Sequence, residues 1–161
     1  MSKYKETSVA AIFQNQVAKL GDKACVAYKK GGVYVDLSWK QMDELIRKLG
    51  NFLLSLGIKK GDKVAIFSPN RYEWWVADQA ILSIGAINVP IYATNSPDEA
   101  QYVLEHSESK ACLVATEDHL ERVLKIKKKI PKCKSLVIFD DLSKKKAGVM
   151  TLEEAYRKGE A

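Results

Sequence analysis

The chain has 161 residues, of which 47% are apolar, 29% charged and 9% aromatic. These proportions predict one globular unit with a core of its own, and they exclude a disordered or low-complexity protein. The net charge is +6, and no apolar run is long enough to form a membrane-spanning helix, which excludes an integral helical membrane protein.

The first part of the chain predicts a β-hairpin followed by a helix. Residues 24–28 and 33–37 are β-rich runs on either side of a Lys-Lys-Gly-Gly turn, a pattern typical of an antiparallel hairpin. Ser38 and Gln41 have the spacing of a capping box, and an apolar stripe at helical spacing then continues to Gly57. A helix is therefore expected between Ser38 and Gly57.

Strands and helices are then predicted to alternate. The strands are expected at residues 63–67, 86–91, 111–115 and 135–139, and the helices at residues 71–84, 97–107, 117–130 and from 151 onward. Asn70 is the expected N-cap of the helix at 71–84, and residues 144–148 are expected to form a loop.

The predicted strands are short and continuously apolar, as parallel strands covered on both faces should be. The fold class predicted is therefore α/β, with a doubly wound, largely parallel sheet, flanking helices and an N-terminal β-hairpin. Ligands of such sheets bind at the carboxyl ends of the strands.

Polar connections follow three of the predicted strands, at residues 68–70, at residues 92–96 and at Asp140 and Asp141. Their side chains could meet a substrate, but Ser, Asn and Pro are also what a strand-to-helix turn requires. Three aromatic residues, Tyr72, Trp74 and Trp75, could line an apolar ligand channel or belong to the hydrophobic core. No dinucleotide-binding, P-loop or nucleophile-elbow motif occurs.

The three cysteines and two histidines lack metal-ligand spacing, so no metal site is expected at Cys25, Cys112, Cys133, His106 or His119. The cysteines are expected to be buried structural thiols. Lysines crowd residues 125–134 and 144–146, and without those nine the chain is slightly acidic. Such a cluster attracts phosphates, nucleic acid or an anionic membrane, or is a solvated helix face.

Several motifs together resemble the start of the adenylate-forming superfamily, which includes the acyl-CoA synthetases. They are Ser-Trp-Lys-Gln-Met at 38–42, Leu-Gly-Ile-Lys-Lys-Gly-Asp-Lys-Val-Ala-Ile at 56–66, Ser-Pro-Asn at 68–70 and Gly-Ala-Ile-Asn-Val-Pro at 85–90. The runs Asn-Arg-Tyr-Glu-Trp at 70–74 and Val-Pro-Ile-Tyr-Ala-Thr at 89–94 are most similar to the long-chain fatty-acid CoA ligase branch. The resemblance covers residues 7–158.

This resemblance implies a two-step reaction, in which a fatty-acid carboxylate attacks the α-phosphate of ATP and the thiol of coenzyme A then displaces AMP. It also implies Mg²⁺ as the ion that neutralises the phosphates. The family's phosphate loop, its adenine motif and its small C-terminal domain with the catalytic lysine lie beyond this sequence. Residues 1–161 are therefore interpreted as the N-terminal segment, one α/β subdomain, of the large domain of such an enzyme.

Accordingly, no catalytic, cofactor-binding or metal-binding residue is assigned, and the segment alone is expected to be inactive and to bind no cofactor. Fatty acid, ATP and coenzyme A are the expected partners of the full-length enzyme. No nucleic-acid partner is expected, and peripheral membrane association and self-association of the segment stay open. The first six residues lack a following apolar stretch, which predicts a cytoplasmic protein. The alternative is a free-standing α/β binding module that uses a Lys-rich helix to hold anionic partners.

Overall fold

A computed structural model describes residues 8–160, so the expectation drawn from the first six residues lies outside the described part. The elements are, in chain order, α1 (Val9–Leu20), β1 (Ala24–Lys30), β2 (Val33–Ser38), α2 (Trp39–Ser55), β3 (Lys63–Phe67), α3 (Tyr72–Ser83), β4 (Ile87–Ile91), α4 (Pro97–Ser107), β5 (Ala111–Val114), α5 (Glu117–Ile126), β6 (Ser135–Ile138), β7 (Val149–Thr151) and α6 (Leu152–Gly159). None of these helices is long and apolar enough to cross a membrane.

The main sheet has five strands in the order β4-β3-β5-β6-β7, and every neighbouring pair is parallel. The chain moves from β3 outward to β4, returns to the other side of β3 with β5, and continues in that direction. Strand order therefore reverses between β3 and β5, which makes their carboxyl ends the topological switch point of the sheet. The predicted doubly wound α/β fold is confirmed.

Helices cover both faces of this sheet because side chains along each strand point alternately to either side. Val64, Ile66 and Leu113 pack with α2, α3 and α6 in one apolar cluster. Phe67 and Val114 pack with α4 and α5 in the other. The central strands are thus buried on both faces, as their continuously apolar sequences predict.

The hairpin β1–β2 forms a separate two-stranded sheet beside α2 and α3. Its turn consists of Gly31 and Gly32, whose φ angles of 58° and 87° suit a two-residue hairpin turn. Helix α1 is absent from the sequence-based prediction; Phe13, its one buried residue, packs against Trp39 and Trp75.

Two further predictions need correction, and one strand was missed. The N-cap of α3 is Arg71 and not Asn70, and it makes no side-chain capping bond. Helix α5 ends at Ile126 and not at residue 130, because Lys127–Lys129 form a 3₁₀ turn. The short strand β7 was not predicted, whereas the capping boxes of α2, α4 and α6 are present.

Strand β4 forms one edge of the sheet. The N–H of Ile87 donates to the carbonyl of Asp62 (2.8 Å), and Ile87 pairs with Lys63 of β3. In a parallel ladder alternate residues face the neighbouring strand, so the backbone of Asn88 and Pro90 faces outward. Pro90 has no N–H, and the outward side of an edge strand is a position where a sheet tolerates proline.

Candidate functional site

The carboxyl ends of the parallel strands bring all the predicted polar connections to one edge of the sheet. The N–H of Ala115 donates to Phe67 (3.1 Å), and the N–H of Asp140 donates to Ala115 (3.1 Å), so the connections after β3, β5 and β6 lie side by side. The residues after β4, Tyr92–Asn95, lie beyond β3 at the same edge.

Arg71 joins two of these connections. Its guanidinium donates two hydrogen bonds to the Glu73 carboxylate (2.7 and 2.8 Å) and one to Asp140 Oδ1 (2.8 Å), and it lies 5.8 Å from the centre of the Phe139 ring. Hydrogen bonds to Glu73, more than those to Asp140, raise the pKa of Arg71 above its ordinary value. Because both carboxylates engage the guanidinium, Arg71 holds the edge together and is not free to bind a phosphate.

His119 and Arg122 hold the Tyr92–Asn95 connection from α5. His119 Nε2 bonds the carbonyl of Ala93 (3.1 Å), and Arg122 donates to the carbonyls of Ala93 (3.2 Å) and Asn95 (2.8 Å). A carbonyl only accepts, so the proton of the neutral imidazole lies on Nε2 and Nδ1 accepts from the Thr116 hydroxyl (2.7 Å). Burial lowers the pKa of His119, which keeps it neutral at physiological pH.

The sequence predicted no site role for Arg71, His119 or Arg122. For His119 the sequence raised only the question of a metal ligand, whereas in the structure its ring bonds the backbone carbonyl of Ala93. One available signal was position: Arg71 ends the connection after β3, while His119 and Arg122 lie three residues apart on the first turns of the helix after β5. Side chains there face the switch-point edge.

A cavity of about 510 Å³ opens between the connections after β3 and β4. Ser68 is a buried member of its lining, and its hydroxyl donates a hydrogen bond to the Pro69 carbonyl (2.7 Å). Trp74 lines one wall, and Tyr92 at the rim is 81% exposed. The walls are mainly apolar, and they suit an uncharged part of a ligand better than a phosphate.

The three aromatic residues on α3, predicted to form either a ligand channel or part of the core, have different surroundings. Trp74 and Trp75 are both half-buried against the core, with the Trp75 ring 5.9 Å from Phe13. Trp74 also lines the cavity just described. Tyr72 lies 4.5 Å from Tyr28 of the hairpin, beside a second opening of about 710 Å³, and burial raises its pKa to about 12. Only Trp74 therefore faces the space between the two connections.

Charge limits what this edge can bind. Residues 68–74, 92–99, 115–119 and 139–142 together contain seven carboxylates and one arginine. Acidic residues in the first turns of α4 and α5 are favourable there because helix N-termini carry partial positive charge. The phosphates of a nucleotide would therefore need cations that these residue ranges do not supply. Within residues 8–160 no group of three His, Cys, Asp or Glu side chains could hold a metal ion.

The cysteines take no part in this edge. Cys25, Cys112 and Cys133 are free thiols, and burial raises the pKa of Cys25 and of Cys133 to about 11. Cys112 and Cys133 are buried under α4 and α5, as expected, whereas Cys25 is only half-buried.

Comparison with known proteins identifies the family. The sequence model of the AMP-binding enzyme family matches residues 13–160. The chain belongs to this family. The match includes both connections of the cavity and the residues that hold them, Arg71, His119 and Arg122, and it confirms the resemblance to adenylate-forming enzymes seen in the motifs.

Similar proteins include ligases of long-chain fatty acids. The chain is 39% identical over 100 residues to long-chain-fatty-acid–CoA ligase FadD15 of Mycobacterium bovis, covering 62% of this chain and 17% of that protein. It is 32% identical over 148 residues to long-chain-fatty-acid–CoA ligase ACSBG1 of Homo sapiens, covering 91% of this chain and 20% of that protein. The chain thus spans about a fifth of the length of these relatives.

Solved structures share the fold. The anthranilate CoA ligase AuaEII, crystallised with anthranoyl-AMP, superposes with a TM-score of 0.83 at 20% identity over 92% of this chain and 27% of its own. Coronafacic acid ligase from Pectobacterium brasiliense gives a TM-score of 0.80 at 22% identity over 92% of this chain and 29% of its own. At such identities the likeness establishes the fold alone.

Proposed function

We propose that this chain is part of an AMP-forming long-chain fatty-acid–CoA ligase. In the first step a carboxylate oxygen of the fatty acid attacks the α-phosphorus of ATP, giving acyl-adenylate and pyrophosphate. In the second step the sulfur of coenzyme A attacks the acyl carbon, and AMP leaves. The observation that carries the proposal is the family match over residues 13–160, together with relatives named as long-chain ligases.

Within that enzyme we assign the chain a scaffolding role. The four residue ranges at the carboxyl-end edge contain seven carboxylates against one arginine, Arg71, which is engaged by Glu73 and Asp140. The nearby Arg122 of α5 is engaged by Asp118 and by the carbonyls of Ala93 and Asn95. Mg²⁺ and cationic groups outside residues 1–161 would therefore neutralise the phosphates. We expect the chain alone to form no acyl-adenylate and to bind no nucleotide.

Contacts with substrate, if this chain makes them, belong to the mainly apolar cavity between the connections after β3 and β4. Trp74, Pro90 and Ile91 supply its apolar surface. We expect it to contact an uncharged portion of a ligand and not the reacting carboxylate. A cytoplasmic location is part of the same proposal.

The first experiment measures the native protein. An antibody raised against residues 8–160 is used on an extract of the source cells, and the captured protein is assayed for AMP formation that depends on palmitate, ATP and coenzyme A. We expect a band several times larger than the 18.0 kDa of this chain, with activity. Capture with non-immune antibody is the control.

A native band near 18 kDa without AMP formation would contradict the proposal. The free-standing binding module would then be the function to test, and the distribution of lysines favours it as the second candidate. Vesicle and DNA binding, described below, would then identify the class of its anionic partner.

A further inference from the structure

Positive charge is concentrated at the amino-end edge of the sheet, opposite the candidate site. The three connections that lead into β3, β5 and β6 are residues 57–63, 108–110 and 127–134. They contain nine lysines and two carboxylates, a local charge of +7. The rest of the chain has 17 Lys and Arg against 18 Asp and Glu, so the whole excess of positive charge lies in these three connections.

Three of these lysines form a row across neighbouring strands. Val64 pairs with Ala111, and Ala111 pairs with Ser135, so the residues just before them, Lys63, Lys110 and Lys134, occupy the same register position. Adjacent strands lie about 4.8 Å apart. The row is thus a set of like charges at close spacing on one side of the sheet.

The row lines a hollow of about 490 Å³ with Lys132, Leu56 and Ile58. Two carboxylates offset part of the charge: Asp62 lies 2.7 Å from Lys110, and Glu108 lies 2.5 Å from Lys132. In the described part of the chain Lys134 has no carboxylate within ion-pair distance. The hollow therefore retains an excess of positive charge and has room for a phosphate group.

Helix dipoles account for only part of this distribution. Lysines in or just beyond the last turn of a helix, such as Lys125 and Lys127 on α5, are favourable because helix C-termini carry partial negative charge. Lys63, Lys110 and Lys134 begin strands or stand directly before them, so no helix terminus explains their positions.

Two exposed aliphatic side chains lie at the same end of the sheet as the lysine row. Leu54 on the last turn of α2 is 50% exposed, and Ile87, which pairs with Lys63, is 48% exposed. Within residues 8–160 the large exposed aromatic residues lie elsewhere: Tyr34 on the hairpin, Tyr92 at the opposite edge, and Tyr102 on α4 stacked with His106. Single-stranded nucleic acids are typically held by aromatic stacking, whereas a lipid surface accepts cations with aliphatic groups between them.

We propose that the amino-end edge is a docking surface for an anionic lipid bilayer. The lysine row contacts lipid phosphates at the hollow, and Leu54 and Ile87 contact the boundary between head groups and acyl chains. This inference goes beyond the proposed ligase function and does not depend on it. It also leaves the carboxyl-end edge facing away from the membrane.

The test is flotation of the 161-residue chain with vesicles of phosphatidylcholine, with and without 30% phosphatidylglycerol, at 0.1 M salt. We expect binding only to the anionic vesicles and a steep decline as salt increases. The variant Lys63→Gln/Lys134→Gln should weaken binding about 25-fold, since each lysine near an anionic surface contributes roughly fivefold. Circular dichroism checks that each variant is folded.

The matched control is Lys19→Gln/Lys144→Gln, which removes the same charge from exposed positions outside the three connections. We expect a change below about twofold. Equal losses in the two variants would mean that net charge and not this surface binds lipid, and would overturn the proposal, as would absence of binding to anionic vesicles.

A second variant distinguishes a bilayer from a polyanion. Leu54→Ser/Ile87→Ser removes two half-exposed aliphatic groups and should weaken vesicle binding by roughly tenfold. The same variant should leave any association with a 30-nucleotide DNA unchanged. If wild-type chain binds DNA more tightly than vesicles of equal phosphate concentration, or if the variant binds vesicles normally, the assignment to a bilayer is wrong.

Discussion

Removing the guanidinium of Arg71 should destabilise the protein by about 2–3 kcal/mol. Arg71→Gln deletes two charge-assisted hydrogen bonds to Glu73 and one to Asp140. The Glu73 side chain is only 10% exposed, so its charge would lose its main counter-ion in a largely dry environment. Breaking a fully buried pair costs about 3–5 kcal/mol, and the 27% exposure of Arg71 and 42% exposure of Asp140 reduce that figure.

The assay is urea unfolding followed by tryptophan fluorescence. For a domain of this size an unfolding free energy lower by 2–3 kcal/mol moves the midpoint down by about 1–2 M. The matched control is Arg47→Gln: Arg47 makes one contact with Asp43 (3.0 Å) and is 69% exposed. Asp43 also keeps a hydrogen bond from Gln14, so we expect a loss below about 1 kcal/mol.

The double variant Arg71→Gln/Glu73→Gln tests the cause. Neutralising Glu73 removes the uncompensated charge, so the double variant should be about 1 kcal/mol more stable than Arg71→Gln alone. A loss below 0.5 kcal/mol for Arg71→Gln, or a double variant less stable than the single one, would refute the role assigned to this ion pair.

Four further predictions concern single residues. An added Cβ at Gly159 would lie 1.8 Å from the Lys48 carbonyl oxygen, so Gly159→Ala should lower the unfolding free energy by about 1–3 kcal/mol. Gly50→Ala, whose Cβ would meet ordinary 3.5 Å contacts, should raise the thermal midpoint slightly because alanine favours the helix. Burial lowers the pKa of His119 in the folded state, so below pH 6.5 the unfolded chain binds a proton more readily than the folded one. The contribution of His119 to stability is therefore complete above pH 6.5 and declines as pH falls toward the folded-state pKa. Calorimetry should show this decline, and His119→Gln should lack it. The Tyr156 hydroxyl is buried and has no hydrogen-bond partner among the residues that the structure describes, so Tyr156→Phe should stabilise the protein by about 1 kcal/mol in the same urea assay. A loss of more than about 1 kcal/mol would show that the hydroxyl has a partner in solution.

Most of the fold was predictable because local signals and burial agree. The continuously apolar runs predicted the ends of β3, β5 and β6 to within one residue, and the capping box at Ser38 predicted the start of α2. Helix α1 was not predicted because only Phe13 is buried, so packing against Trp39 and Trp75 defines the helix more than its own periodicity does.

The error at the start of α3 has a tertiary origin. Asn70 has the sequence of an N-cap, but the tertiary contact of Arg71 with Asp140 makes the next residue the cap. The contacts that hold the candidate site join residues far apart in sequence, such as Arg122 and Asn95, which are 27 residues apart. A local pattern contains no information about such pairs, so this part of the site required the structure.

Pro90 at the edge of the sheet has a consequence for the behaviour of the protein at high concentration. An incoming strand pairs with outward-facing N–H and C=O groups, and of the two outward-facing residues of β4 only Asn88 has an N–H. A second molecule would therefore lose one hydrogen bond of a short ladder and leave its own carbonyl unpaired. The β4 edge is thereby protected against growth of the sheet into fibrillar aggregates.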